Sequence, residues 1–411
     1  MFRIRNSSFW LVFTSFVLPS ASLVLTIYAL SFFLLEYFAD SPELISYAEL
    51  LNTLPVLLGF LFIGLAVDRF HRKHLAVVSL LLRLLFSALA MLFLYYDFIV
   101  ATFAMLFARM FFHKLFATME MAIIQGLLQE HEYVQAASLK QLINGILALS
   151  GSFIALFIYR KFGMTGIMAI DCLFTLLATL FISRARIPLA ACLPNGRHQH
   201  HRLRQSLVTF WTETKLGIRY VWSSWTFRSI LFIYMVFGIA NAFIATLPLY
   251  SLRFVLADGV ETYQQYAATF SFMLGLAFAL GSLGYSLIGK ALHPGKTVKT
   301  TLILLPMLFL TLGFIHHAML FFTIVFIIGL TIVILNVTIG AWLPKIVAPA
   351  YMGRTYALLD PASLSMKSMA LLLCGWLYPK LLTLPMMYVL FSLLIAIGAA
   401  IVWRFITYDH A

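Results

Sequence analysis

The sequence predicts an all-α membrane protein of about twelve transmembrane helices, arranged as two six-helix bundles. Three observations lead there. Of 411 residues, 63% are hydrophobic and only 10% charged, whereas soluble domains run near a quarter charged and about half apolar. About a dozen apolar runs approach or exceed the roughly 20 residues that a spanning helix needs. The runs are long and lack alternation at every second residue, which favours helices over strands.

The first span, Phe9–Leu35, follows Arg3 and Arg5 and ends at Glu36. It is too long for a signal-peptide core and no cleavage pattern follows, so it is expected to be an uncleaved helix. The second, Tyr47–Val67, and the third, Leu75–Tyr95, flank the basic turn Gly64–Lys73. Those charges cannot enter hydrocarbon, so the two spans form a hairpin on one membrane face. The fourth is Phe98–Leu128, and the fifth, Lys140–Tyr159, carries Gly145, Ala148, Ser152 and Ala155 on one face, a small-residue groove for close helix contact. The sixth, Gly163–Ile182, completes the first bundle.

A polar linker follows, so the chain divides into residues 1–185, 186–226 and 227–411. The linker holds the run Arg197-His198-Gln199-His200-His201 and then an amphipathic stretch with Leu203, Leu207, Phe210, Trp211, Ile218, Val221 and Trp222 at helical spacing. Such a helix should lie along the membrane surface. The histidines have no cysteine or acidic partner beside them, so no metal site is read there. The second bundle is expected at Phe227–Leu252, Thr262–Ile288, Val298–Ile315, Ala318–Leu343, Tyr356–Leu377 and Leu384–Trp403. In its eleventh span Asp360 precedes Pro361, which marks a local break.

The formal charge of +13 would suit a nucleic-acid binder, but the positions argue otherwise. With the N-terminus inside, Arg69, Arg72, Lys73, Arg184, Arg186 and the basic linker share the cytoplasmic face with Arg3 and Arg5. The other face holds Arg160, Lys161, Arg253 and Lys380 beside Glu36, Asp40, Glu43, Asp97, Asp258 and Glu261. This is the positive-inside asymmetry, with both termini cytoplasmic, and it excludes nucleic acid as the reason for the charge. No phosphate-binding loop, zinc pattern or nucleophile motif is present, so neither an enzyme nor a cofactor is expected. Cys172, Cys192 and Cys374 show no pairing pattern and are read as packing residues.

An ionisable side chain inside a span costs at least a few kcal/mol, so each is a functional candidate. Arg109, His113 and Glu120 lie 4 and 7 residues apart, on one face of the fourth span with Phe116 between them. Glu120 is the candidate proton carrier, with Arg109 or His113 tuning it; a fixed Arg–Glu brace is the plainer alternative. Asp171, in the outer half of the sixth span, is expected to pack helices with its carboxylate satisfied by a neighbouring donor. Asp360 and Lys367 share a face of the eleventh span, where they could pair, and Asp360 could be a second proton site.

Residues Gly64 to Lys73 read Gly-Leu-Ala-Val-Asp-Arg-Phe-His-Arg-Lys, and Gly281–Lys290 stands at the matching place in the second half. The first block resembles the signature between the second and third helices of the major facilitator superfamily of transporters. Ile170-Asp171-Cys172, Leu247-Pro248-Leu249-Tyr250 and Gly353-Arg354 are similar to the drug-proton antiporters of that superfamily, on the branch with macrolide and siderophore exporters. The resemblance implies an inner gate formed by Gly64, Asp68, Arg69, Arg72 and Lys73, and a coupling role for Arg109. It further implies a bacterial inner-membrane protein, expected to be a monomer, in which protons drive efflux of amphipathic small molecules: drugs, siderophore-like metabolites or lipids. A proton-coupled importer, or a non-transporting sensor on the same fold, are the other readings.

Overall fold

The computed structural model describes residues 7–38, 43–67, 70–128, 130–192, 225–288, 294–346 and 352–408. They form α1 (Ser7–Tyr37), α2 (Glu43–Val67), α3 (Arg72–Tyr95), α4 (Ile99–Leu127), α5 (Glu130–Arg184), the single turn α6 (Leu189–Cys192), α7 (Trp225–Ser251), α8 (Val260–Ile288), α9 (Pro294–Leu312), α10 (Ala318–Ile346), α11 (Met352–Leu377) and α12 (Leu384–Tyr408). No strand occurs among the described residues. Every helix but α6 is long enough to span hydrocarbon, and nine stretches are also strongly apolar. The two helices outside that group, α2 and α11, carry Glu43 and Glu49, and Asp360 and Lys367.

The fifth and sixth spans form one continuous element interrupted at Gly163, where φ is +64° and ψ −168°. That backbone region is essentially glycine's alone, so this one residue reverses the chain without a longer loop. Five helices contain an interior proline: Pro19, Pro55, Pro248, Pro306 and Pro361. In a spanning helix the freed carbonyls find other donors. A π-helical turn, Leu252–Leu256, closes α7 after Pro248.

The chain divides into two compact units. The first comprises residues Met1–Phe33 and Leu51–Leu203, the second Leu34–Leu50 and Arg204–Ala411. In the first unit α3 packs against α4 and α5, and the core gathers Leu80, Phe116, Met119, Ile123, Ala178 and Ile182. In the second, α7 packs against α11 and α12, and α10 against α8 and α9. Phe243 centres an aromatic cluster there, 4.2 Å from Phe309, 5.2 Å from Tyr388 and 5.8 Å from Phe391 between ring centroids. The Tyr388 hydroxyl shares a 2.7 Å hydrogen bond with Ser251, which satisfies the ring's polar end in a buried site.

Large apolar side chains such as Val100, Met319, Phe62 and Trp376 stand exposed, as expected of a surface that meets lipid. Cys192 and Cys374 are buried, and all three cysteines are unbridged; burial also pushes the Cys192 thiol up. The linker helix and the histidine run expected from the sequence lie outside the described residues.

Candidate functional site

The fourth-span stripe folds inward: Arg109 is 3% exposed, His113 8%, Phe116 and Glu120 0%. Its charges do not act together, however. Arg109 and Glu120 are eleven residues apart, roughly 16 Å along the axis, and each finds its partner on a different limb of α5.

The first cluster centres on Asp171. Its Oδ1 accepts from Ser22 Oγ of α1 and from Arg83 Nη2 of α3, both at 2.5 Å. Its Oδ2 accepts from Ser87 Oγ at 2.6 Å and lies 3.5 Å from Arg109 Nε. Arg83 and Ser87 are one turn apart on α3, so one helix face supplies both. Arg83 Nη2 also reaches the Pro19 carbonyl at 3.1 Å. Four helices thus meet on one carboxylate that is wholly buried. An ion pair sealed from water persists best when its remaining hydrogen-bonding capacity is met; the two serines complete the carboxylate's side and the Pro19 carbonyl takes part of Arg83's, while Arg83 Nε and Nη1 and Arg109 Nη2 have no acceptor among the described residues.

The second cluster joins Glu120 to Lys140 at the start of the fifth span, 2.9 Å from Nζ to Oε2. Lys140 Nζ also stands 3.8 Å from the centre of the Phe16 ring, a cation–π contact. Glu120 is sealed while Lys140 is 27% exposed. Its other oxygen, Oε1, is buried with no hydrogen-bond partner among the described residues. The Arg109–Glu120 brace weighed from the sequence is therefore replaced by two separate pairs. His113 lies on the stripe with its Nδ1 buried and without a hydrogen-bond partner among the described residues.

Of the basic turn, Asp68 and Arg69 lie outside the described residues, and of Gly64 only its place near the end of α2 is described. Lys73 donates to the Ser183 and Ala185 carbonyls at 2.9 and 2.8 Å, placing a cation where the end of α5 leaves carbonyls unpaired. Arg72 reaches the Ala191 carbonyl of α6 at 3.4 Å. His71 caps α3 with φ −60° and accepts from the His74 amide.

Lys367, for which the sequence offered Asp360, pairs instead with Glu49 of α2 at 2.7 Å, both within the second unit. Beside it Ser46 hydrogen-bonds the Tyr250 hydroxyl at 2.7 Å, and Lys380 lies 3.5 Å from Glu43. Asp360 itself is exposed. In the fifth span Ser152 and Ala155 are fully buried and Ala148 partly so. Gly145 has nothing within 4 Å of where a Cβ would stand, and it is Gly151 that meets Val24 of α1.

Arg83, Lys140 and Glu49 were missed in the sequence. Arg83 had a clear signal, a cation in the middle of a 24-residue helix whose other two, Arg72 and Lys73, stand at its start. Lys140 and Glu49 sit near span ends, where a charge reads as an ordinary boundary.

The Major Facilitator Superfamily model matches residues 11–363. The chain is 30% identical over 354 residues to an uncharacterized MFS-type transporter, YkuC, of Bacillus subtilis (strain 168), covering 86% of this chain and 81% of that protein. Among solved structures it is similar to a POT family transporter in complex with a thioalcohol-conjugated peptide, with TM-score 0.76, 11% identity, and 97% and 95% of the two chains covered. It is similar also to a variant of the nucleoside transporter NupG, with TM-score 0.71, 10% identity, and 97% and 100% covered. A D-xylose-proton symporter aligns with TM-score 0.68, 11% identity and 97% of each chain covered. At such identities these structures speak for the fold alone.

Proposed function

The chain belongs to the Major Facilitator Superfamily of transporters, and on that premise we propose that it exports amphipathic small molecules in exchange for protons, by alternating access. It works as a monomer in the bacterial inner membrane, with both termini in the cytoplasm and lipid against its exposed apolar side chains. Lipophilic antibiotics, siderophore-like metabolites and lysophospholipids are the cargo classes that fit. The proton carrier is Glu120, and Asp360 is the second candidate. Asp68, Arg69, Arg72 and Lys73, after Gly64, form the inner gate, in which Asp68 faces the positive end of a helix when that side is shut.

The observation that carries this reading is the Glu120–Lys140 pair. Among the described residues, a carboxylate with no exposure in a spanning helix is held by one cation, with one oxygen lacking a hydrogen-bond partner. Neutralising Glu120 breaks that pair, so a proton taken up there changes a contact between the fourth and fifth spans. Asp171, held by two arginines and two serines, suits a fixed joint better than a proton carrier.

The test is transport in everted membrane vesicles with an acidic lumen, using fluorescent amphipaths of each charge type. The chain should load at least one of them into the lumen, collapse of the gradient should stop this, and Glu120→Gln should abolish it while folded protein stays in the membrane. Loading that proceeds in the opposite direction would make the chain an importer. Loading by Glu120→Gln equal to that of the unchanged chain would remove Glu120 from the mechanism.

A further inference from the structure

In the second unit α9 and α12 pack together, yet a groove of about 520 Å³ stays open between them. From α9 it is lined by Ile303, Met307 and Leu310, and from α12 by Leu393, Ala396 and Ala400. Ala396 and Ala400 are one turn apart, and their small side chains leave space that the larger ones opposite do not fill. Apart from the Ser392 hydroxyl the lining is apolar. Met307 is 61% exposed and Leu393 55%, so the groove is open along one side. In a spanning chain such a face meets lipid.

Val389 and Ala400 bound the groove along α12, eleven residues and so roughly 16 Å apart. That is close to half of the roughly 30 Å hydrocarbon core, the depth that one lipid tail covers. The volume falls within the roughly 300–1,000 Å³ that takes a drug-sized molecule, so a whole tail fits. One end of the groove is charged. Lys296, Lys299, Ile303, Met307 and Leu310 follow one another along α9 at steps of three and four residues, which puts both cations on the face that lines the groove. Lys296 is exposed and Lys299 partly so. Because α9 begins at Pro294, its unpaired amides and the positive end of its dipole lie beside the same two lysines.

We propose that this groove holds one tail of an anionic glycerophospholipid whose phosphate rests on Lys296, Lys299 and the first turn of α9. An empty groove would forfeit contacts along its walls, and water in it would find little but the Ser392 hydroxyl to bond. A lipid tail fills it. Tails are as apolar as leucine, so filling alone does not choose among lipids. The charge at the groove's end does, because lysines near the membrane surface favour an anionic headgroup. A second copy of the chain fits less well. Two-fold symmetry sets the same patch against itself, which would bring one copy's Lys296 and Lys299 toward the other's. The site is independent of cargo and of the direction of transport, and so goes beyond the function proposed above.

The experiment is photolabelling of the full chain reconstituted in phosphatidylcholine bilayers. A trace of phosphatidylglycerol carrying a diazirine in mid-tail is added, and labelled peptides are mapped after irradiation and digestion. Peptides holding residues 302–310 and 389–400 should be labelled at least about fivefold more than the exposed face of α3 at Leu81 and Leu85, since two lysines act on the headgroup. Phosphatidylcholine with the same diazirine tail should label the two faces within about twofold of each other. Lys296→Gln combined with Lys299→Gln should reduce phosphatidylglycerol to the phosphatidylcholine pattern. Ala396→Phe, which fills the groove, should lower its labelling with both lysines in place. Even labelling of both faces by phosphatidylglycerol in the unchanged chain would overturn the proposal without any variant. Equal groove labelling by the two lipids would overturn it as well, because the headgroup would then make no difference. Groove peptides left unlabelled in a chain that runs as a dimer in native mass spectrometry would overturn it in favour of an interface between copies.

Discussion

Arg83 Nη2 and Asp171 Oδ1 stand 2.5 Å apart with both side chains sealed from solvent, and the pair ties α3 to the second limb of α5. Removing one partner of a buried pair leaves the other charge uncompensated, which costs about 3–5 kcal/mol. Asp171→Asn, which leaves two buried guanidinium groups without their carboxylate, should lower stability by that order, and Arg83→Met, which leaves Asp171 its 3.5 Å contact with Arg109, should lower it less, both read as a leftward shift in an SDS-unfolding titration of the purified protein. Because Asp171 also serves Ser22, Ser87 and Arg109, the double variant should recover only part of the loss. Two single variants with unchanged midpoints would show the pair to be incidental.

Gly238 of α7 lies against the Ser363 carbonyl and the Lys367 amide of α11, so a Cβ there would overlap backbone that cannot swing aside. Gly238→Ala should cost about 1–3 kcal/mol through overpacking. Gly145→Ala, where a Cβ meets nothing within 4 Å, should instead gain about 0.5–1 kcal/mol from reduced backbone freedom. Thermal melts of the two variants in one detergent check the opposite signs.

The two ion pairs made by α2 differ in shelter. Lys367 and Glu49 are each 21% exposed, whereas Lys380 is 71% exposed. Lys367→Met should cost about 1 kcal/mol and Lys380→Met nothing measurable. A salt titration separates them further, since screening weakens the exposed pair first.

Lys73 caps the carbonyls of Ser183 and Ala185. Lys73→Met should fray the end of α5 and cost about 0.3–1 kcal/mol. Faster amide hydrogen exchange at residues 182–186, with little change elsewhere, is the expected readout.

Much of the fold was legible because hydrocarbon is an undemanding reader: it asks for length and apolarity, and α1, α3, α10 and α12 supply both plainly. The break at Gly163 was legible too, as the glycine between two apolar runs. The inward face of the fourth span followed from the spacing of Arg109, His113 and Glu120. Their partners did not. A stripe on one helix says that charges are buried, but the opposing charge is chosen by tertiary packing. Thus Arg109 went to Asp171 and Glu120 to Lys140. The close contact expected at Gly145 falls instead at Gly151, because small size permits an approach without requiring one. Lys367 shows the same limit: Asp360 was near in sequence, and Glu49 is near in space.

The account turns on Glu120 exchanging a proton inside the membrane, and infrared difference spectroscopy of the reconstituted protein, stepped between acid and neutral pH, tests this directly. A carboxylic-acid C=O band should appear on the acid side and vanish on the neutral side. It should be absent from Glu120→Gln and unchanged in Asp360→Asn. A band that survives in Glu120→Gln, or no band at all, would contradict the assignment of the Glu120–Lys140 pair as the coupling site.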